Sequence, residues 1–539
     1  MASILETPSQ TPDAEKERPD NHASTPSDHD LASLPPDKNT TTFDPGWRFY
    51  SAFISLCVIT LMAALDATSL SVAIPRITTA LHGSAIEGFW SGTSFLLTST
   101  VFQPVFGSFS DIFGRKPLIY ISLVCFGLGA VLAAVTHGSM TLMLVGRSIQ
   151  GIGGGGVLVL TEIVVTDLVP LRFRGNYFSL LDQPPLPRHR HPSGHPLLNL
   201  HFKQTSLLQQ LRRIDWIGGI LFTGSTTGFL IPLTWGGTMY PWTSWRTLVP
   251  LLVSAAGLVA FVVWEERYAR EPLIRTSVTK NRTVAVTYLG DFLQGLLLWC
   301  NLYFMPLYFQ AVMGDTPIKS AIDLFPSTFT VAPAAIVTGA MITKFGVYRW
   351  AIWSGWVLVT VGFAARTVFN VHTPIPVWVI INLINGVGLG MLYPSLSFAV
   401  QAAVPNKDQA YGVSLFTFFR AAGQCVGVAV GGTIFSNSIK REILSHPSIA
   451  EFADEWSAEA SSLVEMIKVM EPGVAKDDLL KSFADALVVI WIVMTVLSAV
   501  ALISSWWTQH YDLDRPLETD HGFREAEKVK TVEDGIASR

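Results

Sequence analysis

A chain of 539 residues, 49% hydrophobic and only 14% charged, departs from soluble globular domains, in which about a quarter of residues are charged. That balance excludes an ordinary soluble enzyme and a basic nucleic-acid binder, and it describes an all-α polytopic membrane protein. The net charge of -4 decides little, because orientation in a bilayer follows the placement of Lys and Arg in short loops.

Residues 1–46 are polar, rich in Pro, Ser, Thr and Asp, and have no apolar stretch of the signal-peptide kind. They read as a disordered cytosolic tail. Apolar stretches then predict about twelve spans, near 47–70, 88–108, 117–136, 141–165, 214–234, 247–264, 284–310, 321–343, 350–369, 376–402, 412–436 and 484–507. Strict alternation from an inner start places Gly114–Pro117, Leu171–Arg213, Glu265–Arg282, Lys344–Arg349 and Pro405–Gln409 inside. These loops carry most of the loop Lys and Arg. The outer loop Trp235–Arg246 is aromatic, as suits a membrane interface. The outer loop 437–483 is long, acid-rich and long enough for a short amphipathic helix. The organisation read from this is a tail (1–46), a four-span N-terminal half (47–169), an atypical cytosolic loop (170–213), two linker spans (214–264), a six-span C-terminal half (265–507) and a cytosolic tail (508–539). Cys57, Cys125, Cys300 and Cys425 all lie in apolar stretches and read as packing residues.

The charged decapeptide GSFSDIFGRK, Gly107 to Lys116, sits between two apolar stretches and is too short to hold a soluble domain. It reads as a tight hinge at the cytosolic membrane edge. Gly107 and Gly114 permit close helix approach and a sharp turn. Asp111 and Arg115 can latch neighbouring helix ends through a carboxylate–guanidinium bond, with Lys116 beside them. Gly339 and Gly346 repeat the seven-residue spacing at a later inner loop, a weak echo of two related halves.

Three intramembrane ionisable residues stand out, because charge at depth is costly and therefore a functional signal. Asp66 lies toward the outer half of span 1, in LDATSLSVAIP. Arg147 lies in span 4, in LVGRSIQGIGGGG, at a similar depth, with Gln150 one turn inward on the same face. A titratable Asp beside a buried Arg is a proton-coupling candidate; a purely structural pair is the alternative reading. The glycines at 151 and 153–156 offer a smooth face for a moving contact. Asp291 lies about two turns into its span, followed by Gln294, Trp299, Asn301 and Tyr303, an amide-and-aromatic set suited to lining a cavity for an amphipathic solute. Arg366 and Arg420 also fall within spans, and Arg420 reads as snorkelling. Glycines 423, 427, 431 and 432 read as packing positions. No phosphate-cradling loop is present, and the histidines at 189, 191 and 195 lack a ligand spacing, so no metal, cofactor or enzymatic centre is expected.

The G-x-x-x-D-x-x-G-R-K pattern resembles the signature between helices 2 and 3 of the major facilitator superfamily. LDATSLSVAIP, matching at Asp66, Thr68, Ala73 and Pro75, resembles the helix 1 motif of its drug:proton antiporters, and R-x-x-Q-G at Arg147 resembles the helix 4 motif. With RRIDWIGGILF and PLTWGG…YPWTSWRTLVPLL, residues 45–180 and 205–510 look like the fourteen-helix fungal exporters of that family. The resemblance implies alternating-access, proton-driven efflux of amphipathic compounds by a monomer, in the plasma membrane or the vacuolar membrane. Only four spans precede the linker pair here. Asp182–Ser206, with five prolines and several basic residues, replaces the helices 5 and 6 and the Gly-Pro-Gly-Gly antiporter motif that the family carries. A mis-spliced or frame-shifted reading of the gene explains this, and a genuine shortened isoform is the alternative. A non-transporting membrane protein and a carrier of a polar solute such as a basic amino acid are the competing functions.

Overall fold

A helix is the natural state of each apolar stretch, because in hydrocarbon every backbone N–H and C=O has to be bonded within its own segment. The computed structural model describes residues 47–83, 85–174, 206–237, 239–458 and 463–515. Twelve long helices run through them. Those of the N-terminal half are α1 (Trp47–Ala80), α2 (Ala85–Phe113), α3 (Arg115–Ala134) and α4 (Met140–Leu168). The linker pair is α5 (Trp216–Trp235) and α6 (Trp245–Arg267). The C-terminal half holds α7 (Arg282–Ala311), α8 (Phe325–Phe345), α9 (Arg349–Ala365), α10 (Ile375–Ala403), α11 (Gln409–Ser445) and α12 (Val474–Ser505). Among the described residues, ten helical segments are long and apolar enough to cross a membrane; α1 and α2 are not in that set. Helix α2 is interrupted by Ser, Thr and Gln. The expected tail 1–46, the replacement segment up to residue 205 and most of the tail beyond 508 lie outside the described residues.

Helix ends follow local chemistry. Ser139, Asp215 and Asn281 cap α4, α5 and α7 by accepting the amides of Leu142, Gly218 and Thr283. Gly114 (φ 87°) breaks α2 from α3, and Gly346 (φ 70°) ends α8, both in the left-handed region that a side chain disfavours. The expected outer loop 437–483 is largely helical. Helix α11 continues to Ser445, short helices occupy Ala453–Ala458 and Leu463–Val469, and α12 starts at Val474. Hydropathy marks only the apolar portion of such helices, so their polar outer turns, with Lys440, Arg441 and Glu442, read as loop.

The halves are built alike. Thr98 and Thr330, Gly107 and Gly339, and Gly114 and Gly346 each stand 232 residues apart. Gly151 of α4 lies on Phe95 and Thr98 of α2 as Gly386 of α10 lies on Ser327 and Thr330 of α8. Gly129 of α3 meets Gln150 as Gly362 of α9 meets Asn385. The glycine echo is therefore a three-dimensional repeat. The halves differ in completeness. In the C-terminal half α7 packs on α11 and α12, and the large core there includes Trp356, Phe363, Phe416 and Trp491. In the N-terminal half α1 packs on α2 and α4, and its face at Tyr50, Ile54, Val58, Met62 and Leu65 is exposed.

Candidate functional site

The hinge is a buried charge cluster. Gly114 turns the chain so that Arg115, 3% exposed, points back under α2. Its guanidinium bonds Asp111, Ser110 Oγ (2.5 Å) and Asp167 of α4 (2.9 Å). Three helices are thus tied at one end by one planar cation shared between two carboxylates. The Asp111–Arg115 bond read from the sequence forms, and Asp167 joins it; nothing in the local pattern singled out that residue, which is 52 positions away. Lys116 is half-exposed and takes no hydrogen bond or ion pair among the described residues. Gly107 does not serve the turn. A Cβ there would overlap the Ser414 hydroxyl of α11, so it is where α2 and α11 meet across the halves.

The same end is closed by bonds between the halves. Arg174, buried just beyond α4, donates to the carbonyls of Thr166 and Val169 in its own half. It also donates to Gln401 (2.8 Å) and Gln409 in the other. Burial pushes its pKa down to about 9, and Asp167 opposes the shift. Arg172 forms a two-pronged pair with Asp514 (2.7 and 2.8 Å) and donates to the Thr343 carbonyl.

Deeper in the N-terminal half, Arg147, 2% exposed, donates to Asp66 (2.7 Å), Gln150 (2.7 Å) and the Ser91 carbonyl (3.2 Å), and lies 4.6 Å from the Phe95 ring centroid. Asp66 and Arg147 are neighbours, as their depths suggested, and Gln150 belongs to the same group. The C-terminal half reaches this pair. Trp299 packs with the Ala63, Phe95 and Phe126 cluster, its ring 5.9 Å from that of Tyr303, and Tyr303 lies within electrostatic reach of Arg147.

Asp291 is wholly buried, and among the described residues no side chain hydrogen-bonds its carboxylate; the backbone of Arg420 is its nearest donor. Arg420 and Glu162 are the charged groups it feels. Gln294 and Asn301 are buried, each with its amide oxygen unpartnered, and Asn301 donates to Ser327 (3.2 Å). Arg420 does not snorkel: its guanidinium lies 4.0 Å from the Tyr393 ring centroid, because an inward rotamer finds an aromatic face and a carboxylate. Tyr393 of α10 in turn donates to Glu162 of α4 (2.6 Å), joining the halves at mid-depth. Glu162 and Tyr393 were not singled out in the sequence, although a Glu within the apolar run of α4 was the available signal.

One glycine reading changes, and the packing reading of the α11 glycines holds at all but Gly432. Glycines 151 and 153–156 are jammed against α2 and α3 of the same half, so they cement α4 and do not form a moving face. Gly423, Gly427 and Gly431 pack on Phe292, Leu296 and Phe304 of α7, whereas Gly432 faces open space.

The profile of the Major Facilitator Superfamily matches residues 56–182, and that of the fungal trichothecene efflux pump family (TRI12) matches residues 190–494, more than half of the chain. The chain belongs to the major facilitator superfamily, in its fungal efflux-pump branch. This superfamily member is 52% identical to the MFS transporter L2 of Phoma sp., over 91% of this chain and 87% of that one. Those 520 aligned positions take in 91% of 539 residues, about 490, so about 30 positions of the relative stand opposite no residue here. It is 31% identical to the efflux pump FUS6 of Gibberella fujikuroi (92% of this chain, 95% of that one). It is 32% identical to the MFS efflux transporter aclA of Aspergillus oryzae (92% and 96%). Among solved structures it resembles a bacterial homologue of the human lysosomal transporter Spinster in an inward-facing and occupied conformation. That match has a TM-score of 0.50 and 14% identity, over 86% of this chain and 97% of that one, and it speaks to the fold alone.

Proposed function

We propose that this protein is a secondary transporter, not an enzyme, that exports small amphipathic organic compounds, such as toxins or secondary metabolites, in exchange for protons. The observation that carries the reading is the Asp66–Arg147 pair. It is a titratable ion pair within a bilayer, held at 2.7 Å between two helices of one half and approached by Trp299 and Tyr303 of the other. Protonating Asp66 removes the charge that Arg147 holds, and so changes the free energy of whichever arrangement of the halves presents that pair. Asp291 is the second coupling group; a fully buried carboxylate, with Arg420 near it, is costly while charged and relieved by a proton. Trp299 and Tyr303 share the face of α7 turned to the N-terminal half and offer aromatic surface that suits an apolar body, whereas Gln294 and Asn301 lie on the opposite face, where Asn301 donates to Ser327. The kinship with named efflux pumps supports the outward direction. We place the monomer in the plasma membrane, with the vacuolar membrane as the alternative. The test is reconstitution: liposomes containing the protein, a trapped pH dye and a lipophilic dye substrate. Substrate-dependent proton flux is expected, and its absence alongside substrate movement down its own gradient overturns the coupling.

A second reading has its own support. The exposed face of α1, set against the packed flanks of its counterpart α7, and the roughly 30 unmatched relative positions favour a chain that lacks helices 5 and 6 and does not transport as written. Sequencing the transcript across codons 175–215 decides it. Reads encoding two further apolar stretches establish a misread gene, and reads that match this chain establish a shortened isoform.

A further inference from the structure

The repeat between the halves exposes a difference that transport does not explain. Arg147 and Gln150 of α4 have their counterparts 235 residues later in α10, at Asn382 and Asn385. The supporting contacts are conserved between the halves: Gly129 against Gln150, and Gly362 against Asn385. The C-terminal half still places a guanidinium here, but from another helix. Arg366, in the turn that ends α9, donates Nη2 to Asn382 Oδ1 (2.8 Å) and Asn385 Oδ1 (3.3 Å). Its guanidinium carbon lies 4.9 Å from the Phe363 ring centroid and 5.3 Å from that of Trp491.

In the N-terminal half the cation is neutralised by Asp66. Among the described residues of the C-terminal half no carboxylate takes that place, and the titratable neighbour that Arg366 feels there is the buried Cys300 thiol. Arg366, Asn382, Asn385 and Trp491 are all fully buried. Five of their nitrogen donors have no acceptor among the described residues: Arg366 Nε and Nη1, Asn382 Nδ2, Asn385 Nδ2 and Trp491 Nε1. Both Asn oxygens face the guanidinium, which leaves their amide nitrogens among the unpartnered donors. The two rings ease the burial of the cation but accept from none of these groups. Polar groups at this depth are normally satisfied, and an isolated buried charge is among the costliest features of an apolar interior.

We propose that Arg366, Asn382, Asn385 and Trp491 form a binding site for a small monovalent anion of halide size, standing where the carboxylate of Asp66 stands in the other half. A cluster of donors around a cation fits an acceptor that carries negative charge and has no hydrogens of its own. Full burial restricts it to a single small ion. The bound anion ties the end of α9 to α10 and to the middle of α12, and it is independent of whether the chain transports.

The test is anion-dependent stability of the purified protein in detergent, at constant ionic strength, with gluconate replaced stepwise by chloride or bromide. The buried thiols Cys57, Cys300 and Cys425 report unfolding through a thiol-reactive dye. Saturating halide is expected to raise the melting temperature by about 5 °C. Arg366→Gln is expected to abolish the response and Asn385→Ala to reduce it. No saturable response in the unmodified protein, or an equal response in Arg366→Gln, overturns the site. If Arg366→Gln does not fold, bromide anomalous scattering from the unmodified protein decides. A peak beside Arg366 supports the site, and bromide found only elsewhere, or nowhere, overturns it.

Discussion

Replacing Tyr393 by Phe removes one hydroxyl and one bond between the halves. Tyr393 donates to Glu162 at 2.6 Å, and the Arg420 guanidinium retains an aromatic face in the variant. A hydrogen bond to a charged acceptor contributes about 1.5–3 kcal/mol net. Glu162 is also left with a weaker environment in the closed arrangement, which acts in the same direction. Each 1.4 kcal/mol is about tenfold in an equilibrium, so Tyr393→Phe should raise the population open at the hinge end by roughly 10- to 150-fold. A reporter lies on the seam itself: Ser414 of α11, 3% exposed, pressed against Gly107 and donating to the Gln103 carbonyl. In a Ser414→Cys background with Cys125 replaced, the labelling rate by a membrane-impermeant maleimide, added from the hinge side of membrane vesicles, reads that population. At least a tenfold acceleration is expected. A rate within threefold of the parent means that the bond does not hold the halves closed, and the reasoning fails.

Other perturbations follow from the same contacts. Gly107→Leu should also open the seam, because overpacking costs about 1–3 kcal/mol and the added side chain meets Ser414; unchanged Ser414 region accessibility to solvent exchange would refute it. Arg115→Ala leaves Asp111 and Asp167 facing each other without their cation and should lower stability by about 3 kcal/mol, read as thermal unfolding; a melting temperature equal to the parent's makes the cluster incidental. With helices 5 and 6 restored, Asp66→Asn should abolish gradient-driven efflux while substrate binding remains measurable, and Asp291→Asn should have a smaller effect. Efflux from Asp66→Asn vesicles that still rises with an imposed proton gradient passes the coupling role to Asp291. External thiol labelling of a cysteine placed in the Trp235–Arg246 loop should succeed in intact cells, and labelling from the cytosol alone would invert the topology.

The sequence by itself determined the membrane class, the order of the long helices, the hinge and the Asp66–Arg147–Gln150 group. These are legible because a bilayer imposes one-dimensional rules: a length of apolar residues per crossing, charges at its edges, and a cost for every ionisable group within. The glycine spacing gave a first hint of two related halves for the same reason, since close helix approach tolerates almost nothing else. Tertiary structure decided which distant groups complete each cluster. Asp167 joins Arg115, Glu162 meets Tyr393, Arg174 bridges to Gln401 and Gln409, and Arg366 takes from α9 the position that Arg147 holds from α4. Hydropathy carries no register between helices, so it cannot say which carboxylate and which aromatic ring a buried Arg finds, as Arg147 finds Asp66 and Phe95 and Arg420 finds Tyr393. It also could not say that the glycines of α4 are locked within one half while Gly107 faces the other, because both depend on how helices are placed side by side in the assembled bundle.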